Sequence, residues 1–279
     1  MTRFERPESV AEAARLLGAG EWAVLAGGTD LYPAHVGREF AAPVLDITGI
    51  AALRGIRRET DGGWSIGATT TWTEVVRAEL PPLFDALKAV AREIGGVQIQ
   101  NAGTVAGNVC NASPAADGAP ALMALDASVV LQSERGEREL PVERFVRGNR
   151  RTARAADELV VAIRVPARSA GARSAFIKLG GRRYLTISMT MVALVIDIDE
   201  RGIIVYAGAA VGSCAVVARR LPALEAKLVG ARVADALEAL VVPADLAPLA
   251  PIDDLRASAD YRREATLTLL RRALKALRA

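Results

Sequence analysis

Histidine is almost missing from this chain of 279 residues, and His35 is the only one. One imidazole offers no nucleophilic triad and no zinc site. Cysteine is as scarce. Cys110 and Cys214 lie far apart, so neither a disulfide framework nor the thiolate set of an iron–sulfur cluster can be built from them. Aromatic residues make up only 4%, and no dense Lys/Arg run is interleaved with them, which disfavours nucleic-acid binding. Neither charge dominates: 35 basic residues face 32 acidic ones, a net charge of +3. Residues 1–10 are too polar for a signal peptide. The apolar, uncharged run Gly202 to Ala218 is interrupted by Gly208, Gly212 and Ser213 and is too short for a membrane span. The expectation is a soluble cytoplasmic protein.

What the chain does have is apolar content, 51%, enough for the cores of two modest domains. It also has two glycine-bearing segments. One is Leu25-Ala26-Gly27-Gly28-Thr29-Asp30-Leu31. The other is Asn101-Ala102-Gly103-Thr104-Val105-Ala106-Gly107-Asn108, followed by Ser113-Pro114-Ala115-Ala116-Asp117. Each follows an apolar run and precedes helix-start signals. Glycine tolerates positive φ and lets a ligand approach the main chain, so such loops can turn rows of N–H groups toward phosphate. One loop alone reads equally as a tight turn. Two of them suggest a nucleotide diphosphate held between two lobes.

The flanking pattern supports that organisation. Ser9-Val10-Ala11-Glu12 has capping-box spacing and opens a helix that stops at Gly18. Trp22 to Leu25 and Val44 to Ile47 read as strands around a short helix at Leu31 to Val36, a βαβ-like unit. A second unit has a strand at Trp64 to Ala68 and a second capping box at Thr71-Trp72-Thr73-Glu74. A helix runs from Leu83 to Glu93, and a strand from Ala127 to Gln132. Ser113-Pro114 predicts an N-cap with proline at the first helical position. After a small, polar linker at 167–173, Ser174 to Leu179, Ser188 to Ile198 and Gly202 to Val211 read as three antiparallel strands. Helices are expected at Leu221 to Leu228, Val233 to Leu240 and Tyr261 to Leu277. The basic face of the last one reads as solvated.

These residues resemble a known family, the FAD-binding medium subunits of molybdenum hydroxylases, related to carbon monoxide dehydrogenase and to the flavin domain of xanthine dehydrogenase. The likeness rests on Ala26 to Leu31, on Ile66-Gly67-Ala68, on Gln98 to Asn108 and on Ser113 to Asp117, in that order. Pro141 to Phe145 and Asp157 to Val160 also correspond, and it covers nearly the whole chain. It implies an α+β fold. A two-lobed α/β FAD domain of the PCMH type would occupy residues 1–168, with lobes of about 1–57 and 58–168. A C-terminal domain at 172–279 would pack a three-stranded antiparallel sheet against helices.

The resemblance further implies non-covalent FAD and assignments for individual residues. Leu25 to Leu31, with Asn101, Gly103, Thr104, Ala106, Gly107 and Asn108, would form the phosphate cradle, helped by the positive end of the helix after the first loop. There the Asp30 side chain would cap the helix, and the Thr104 hydroxyl would meet a phosphate oxygen. Asp117 would bind the ribose or a neighbouring polar group of FAD. Ile94 would pack on the isoalloxazine, Val160 would touch it through backbone, and Lys178 would lie at its polar edge. As plain residues, Ile94 and Val160 read equally as core and Lys178 as surface charge. Tyr184 would shield the ring or be an ordinary loop tyrosine. Ala106 replaces a usual glycine, a cost if that position is left-handed, and Gln100 replaces a usual arginine.

The implied assembly is heteromeric, a dimer of heterotrimers. A small subunit would carry 2Fe–2S clusters, a large one the molybdenum cofactor, and FAD would pass electrons to an external acceptor. Two alternatives stay open from the residues alone. One is a self-sufficient FAD oxidoreductase with its own substrate pocket and Tyr184 as its only base. The other is a scaffold that has lost FAD.

Overall fold

Ser9 starts the fold by accepting a hydrogen bond from the Glu12 N–H at 3.2 Å, and the computed structural model describes residues 3–278 of the chain. Before Ser9 lies β1 (Phe4–Glu5), and after it α1 (Val10–Ala19) runs through Gly18 to Gly20. Next come β2 (Ala23–Leu25), the single-turn α2 (Leu31–Ala34) and β3 (Val44–Asp46). These strands form a parallel sheet in the order β1-β3-β2, as a crossover unit demands. Ala13 and Leu17 of α1 bury against Leu45, Ile47, Ile50 and Leu53, and Leu159 joins them from far along the chain.

The second lobe is built differently. Its strands are β4 (Ile56–Arg58), β5 (Trp64–Gly67), β6 (Ser128–Ser133), β7 (Gly136–Pro141) and β10 (Leu159–Val165). They pair antiparallel in the order β4-β5-β10-β6-β7. Its helices are α3 (Trp72–Arg77), α4 (Asp85–Glu93), α5 (Val97–Ala102), α6 (Val105–Asn111), α7 (Gly118–Ala124) and α8 (Val142–Phe145). A small hairpin pairs β8 (Val146–Gly148) with β9 (Arg151–Thr152). The Thr71–Glu74 capping box forms as its spacing predicts: each partner bonds the other's backbone N–H, at 3.3 and 2.8 Å. Ser113-Pro114 does not start a helix. It forms an isolated turn, because Ala112 leaves α6 in the left-handed region (φ 48°), and α7 begins only at Gly118.

The C-terminal sheet has four strands rather than three: β11 (Arg173–Leu179), β12 (Thr190–Ile198), β13 (Ile204–Gly212) and the two-residue β14 (Arg219–Arg220), in sequential antiparallel order. Behind it lie α9 (Pro222–Leu228) and α10 (Ala259–Arg278). The helix expected at Val233 to Leu240 shrinks to a 3-10 turn at Leu237–Leu240. The basic residues of α10 are partly engaged, with Arg278 paired to Glu238 and Arg271 donating to the Val241 carbonyl.

The sheet meets the second lobe through α7, all seven of whose residues are buried, and through α4. Ser174 on β11 bonds the Leu83 carbonyl at 2.7 Å and accepts from the Ala86 N–H at 2.8 Å. Tyr206 on β13 donates to the Ala124 carbonyl at 2.9 Å, while Arg168 of the linker stacks 3.6 Å from the Tyr206 ring centroid. Asp126 takes bonds from both Arg168 and Arg220.

The contact is tight at Gly208, where an added Cβ would lie 2.1 Å from the Ala124 carbonyl oxygen. Gly208→Ala is therefore expected to cost about 1–3 kcal/mol through overpacking. Gly20→Ala, at an open and extended position (φ 172°), is expected to be neutral or stabilising by up to about 1 kcal/mol. Chemical denaturation of the two variants beside the parent chain measures the contrast.

Candidate functional site

A cleft of about 540 Å³ opens between the two N-terminal lobes, within the range usual for ligand sites. All of its lining residues fall between Trp22 and Val160, so the C-terminal domain supplies none of them. One wall is the loop after β2. Gly28 is left-handed there (φ 69°), and an added Cβ at Gly27 would sit 2.0 Å from the Ala102 carbonyl oxygen. Only glycine permits this approach, and it brings the two motif segments into direct backbone contact.

The second segment is not a loop. α5 ends at Ala102, Gly103 and Thr104 form a two-residue corner, and α6 begins at Val105. Gly103 has φ −63°, and Thr104 is a helix cap whose hydroxyl accepts from the Gly107 N–H at 2.9 Å. Ala106 lies inside α6 with helical backbone, so the left-handed penalty considered for it does not arise.

The hydrogen-bond accounting shows what this wall can hold. Among the described residues, no protein acceptor is found for the backbone N–H groups of residues 26 to 30. Such groups are normally paired, and a consecutive row of them is a concave anion site. Asn108 also lines the cleft, but its side-chain oxygen turns into the protein beside Gly118, buried and without a partner. A row of free amides suits a ligand carrying phosphate acceptors, and the diphosphate of FAD fits it.

Of the residues singled out in the sequence, Ala26, Gly27, Gly28, Thr29, Asp30 and Leu31 line the cleft. So do Ile94, Gly103, Thr104, Ala106, Gly107, Asn108 and Val160. Four do not. Leu25 turns into the core at 5% exposure. The Asn101 side chain accepts from the Thr73 hydroxyl at 2.6 Å. Asp117 and Lys178 form a buried ion pair at 2.6 Å, and Ser188 donates to the other Asp117 oxygen at 2.6 Å. Lys178 is therefore no surface charge. Asp117 ties the second lobe to the C-terminal domain.

Other details differ as well. Asp30 does not cap α2; its carboxylate accepts from the Asn111 side chain at 3.0 Å, joining the two segments. With only four residues, α2 adds little dipole. Tyr184 is 56% exposed and lies off the cleft. The Gln100 amide bonds the Ile94 carbonyl at 3.1 Å, fixing the turn that presents Ile94.

The sequence reading missed one wall altogether. His35, Cys110, Asn111, Arg150, Arg154 and Glu158 all line the cleft, though only the first two stood out as rare residue types. His35 places Nδ1 2.8 Å from the Leu31 carbonyl, and its ring lies 4.5 Å from that of Phe40. Burial pushes the Cys110 thiol up to about 11, so it stays protonated near neutrality. The hydrogen bonds from the Arg138 guanidinium hold the Glu158 carboxyl below the usual glutamate range.

A two-lobed domain with a cleft walled by unpaired amides, followed by an antiparallel sheet and helices, has the layout of a nucleotide-binding oxidoreductase chain. Residues 1–168 match the family described as the FAD binding domain in molybdopterin dehydrogenase, and residues 175–277 match the CO dehydrogenase flavoprotein C-terminal domain. The chain belongs to this family of FAD-binding oxidoreductase subunits. It is 31% identical to the carbon monoxide dehydrogenase medium chain of Hydrogenophaga pseudoflava over 98% of this chain and 96% of that one. It is 34% identical to the nicotinate dehydrogenase FAD-subunit of Eubacterium barkeri over 73% of this chain and 71% of that one. A solved carbon monoxide dehydrogenase chain from Hydrogenophaga pseudoflava, in a form lacking the Mo-pyranopterin moiety of its molybdenum cofactor, superposes with a TM-score of 0.86. That match has 32% identity and covers 99% of this chain and 96% of the other.

Glu158 gives a pH-dependent test of the missed wall. Its folded pKa is depressed, so its stabilisation is complete above the ordinary value of 4.5 and is lost as the pH falls below it, through the folded value. Glu158→Gln is expected to lower stability at pH 7 by roughly 1–3 kcal/mol. The gap to the parent chain should narrow as the pH falls below 4.5. Urea midpoints collected across pH check this.

Proposed function

We propose that this chain holds FAD non-covalently in the cleft between its N-terminal lobes and serves as the electron-transfer subunit of a cytoplasmic, heteromeric molybdenum hydroxylase. Electrons would reach it from 2Fe–2S clusters on a small partner chain, supplied by a large chain carrying the molybdenum cofactor, in a dimer of heterotrimers. They would leave to an external acceptor. The observation that carries this reading is the row of unpaired backbone donors at residues 26 to 30, pressed by Gly27 against the second motif segment.

FAD, when bound, supplies the one- and two-electron chemistry. The protein's part is to hold and to shape. Residues 26–30 and the free amides around Thr104 and Ala106 serve the diphosphate. Ile94 and Val160 offer apolar wall for a ring system. A direct contact from Asp117 or Lys178 to the ligand requires their mutual ion pair to exchange partners. No pair of side chains on the cleft forms a general acid and base poised over an organic substrate. That favours electron transfer over a self-sufficient FAD-dependent oxidoreductase.

Native purification with visible spectroscopy and metal analysis tests the proposal. The expected result is a flavin spectrum in a complex whose other chains carry iron and molybdenum. A protein that takes up no FAD would overturn it, as would an isolated chain that oxidises organic substrates without partners. Gly27→Ala, which pushes the two segments apart, is expected to weaken FAD binding by about tenfold or more, roughly 1.4 kcal/mol per decade. Flavin-fluorescence titration reads the change.

A further inference from the structure

Two arginines on the cleft, Arg150 and Arg154, stand outside the ion pairs among the described residues, and Arg150 alone of the two makes no side-chain hydrogen bond. Arg150 lines the cleft from the turn between β8 and β9, exposed and with left-handed backbone at φ 54°. Its N–H bonds the Ala112 carbonyl at 3.1 Å, and Ala112 is itself left-handed at φ 48°. Two non-glycine residues in this sparse region, joined by one hydrogen bond, fix the point from which the Arg150 side chain departs. Glycine would serve such a turn with less strain, so what the strain secures is the guanidinium.

That guanidinium has no ion-pair or hydrogen-bond partner among the described residues. The nearby acids are committed elsewhere. Glu158 binds Arg138 and the Ala155 N–H, Asp157 binds Arg135, and Asp30 accepts from Asn111. Arg154, the other arginine on the cleft, donates through Nη1 to the carbonyls of Ala155, Ala156 and Glu158.

Resting on the FAD reading above, we infer that Arg150 is an anion contact of the cleft, its guanidinium taking a phosphate oxygen of the dinucleotide that residues 26–30 cradle. The diphosphate then lies between a row of amides and a cation carried on an anchored backbone, the charge-assisted pairing that arginine suits. A phosphate of the same chemistry also belongs to a nicotinamide dinucleotide acting as electron acceptor.

The test compares Arg150→Gly, which removes the charge and relieves the backbone, with Arg150→Lys, which keeps the charge. Flavin-stripped complex is titrated with FAD at low and raised salt. ADP and adenosine serve as displacing probes, FAD-loaded complex is titrated separately with NADH, and melting temperatures are taken for each variant. For Arg150→Gly the expected results are a FAD Kd raised by about tenfold and a shallower salt dependence. Displacement by ADP should weaken, displacement by adenosine should stay unchanged, and the stripped protein should melt no lower than the parent. Arg150→Lys should recover most of the affinity. Unchanged FAD binding with weakened NADH binding would overturn the assignment and give the phosphate to the acceptor. Unchanged binding of both would overturn it outright. A parent complex that binds no FAD at all would instead sink the function proposed above.

Discussion

The N-terminal half depends on a main-chain contact with no space in it. Because the backbone at Gly27 presses on the Ala102 carbonyl, the first lobe cannot move from the second without opening the cleft, and the cleft cannot widen without parting the lobes. That single approach sets the spacing between the amides of residues 26–30 and the corner at Thr104. The Asp30–Asn111 hydrogen bond and the Gly28 turn reinforce it. Everything the cleft does chemically follows from distances set there by backbone, where rotamer freedom cannot blur them.

The C-terminal domain works from outside the cleft. Its charged contacts with the second lobe are Asp117 with Lys178 and Ser188, and Asp126 with Arg168 and Arg220, beside the neutral bonds of Ser174 and Tyr206. The buried Asp117–Lys178 pair adds little net stability but is costly to mismatch, whereas Asp126 lies at the exposed edge of the contact. They specify one docking of sheet on lobe, while α7, α4 and the Tyr206 ring supply the apolar area.

How much of this could be read from the sequence depended on the kind of signal. The loop at 26–31 and both helix starts at Ser9 and Thr71 follow from local chemistry, glycine freedom and side-chain caps, and local chemistry is written in consecutive letters. The second motif misled because Gly103 and Gly107 suggested a loop. Both adopt ordinary backbone, since their role is to be small beside Thr29 and Thr104. The edge strands β4, β7 and β14 escaped notice because two to six mostly exposed residues carry no alternation. The Asp117–Lys178 pair and the arginines on the cleft were invisible for another reason. Residues 61 apart along the chain become neighbours only through the fold, and no spacing rule announces that.

The helix α7 has a consequence for how the chain is made. Its seven apolar and small residues lie between the second lobe and the strands β12 and β13, so half of its cover is synthesised long after the helix itself. A nascent chain emerging from the ribosome would expose that apolar segment until β13, ending at Gly212, has cleared the exit tunnel. Until then it is an apolar surface of the kind that chaperones bind and that makes incomplete chains prone to aggregate.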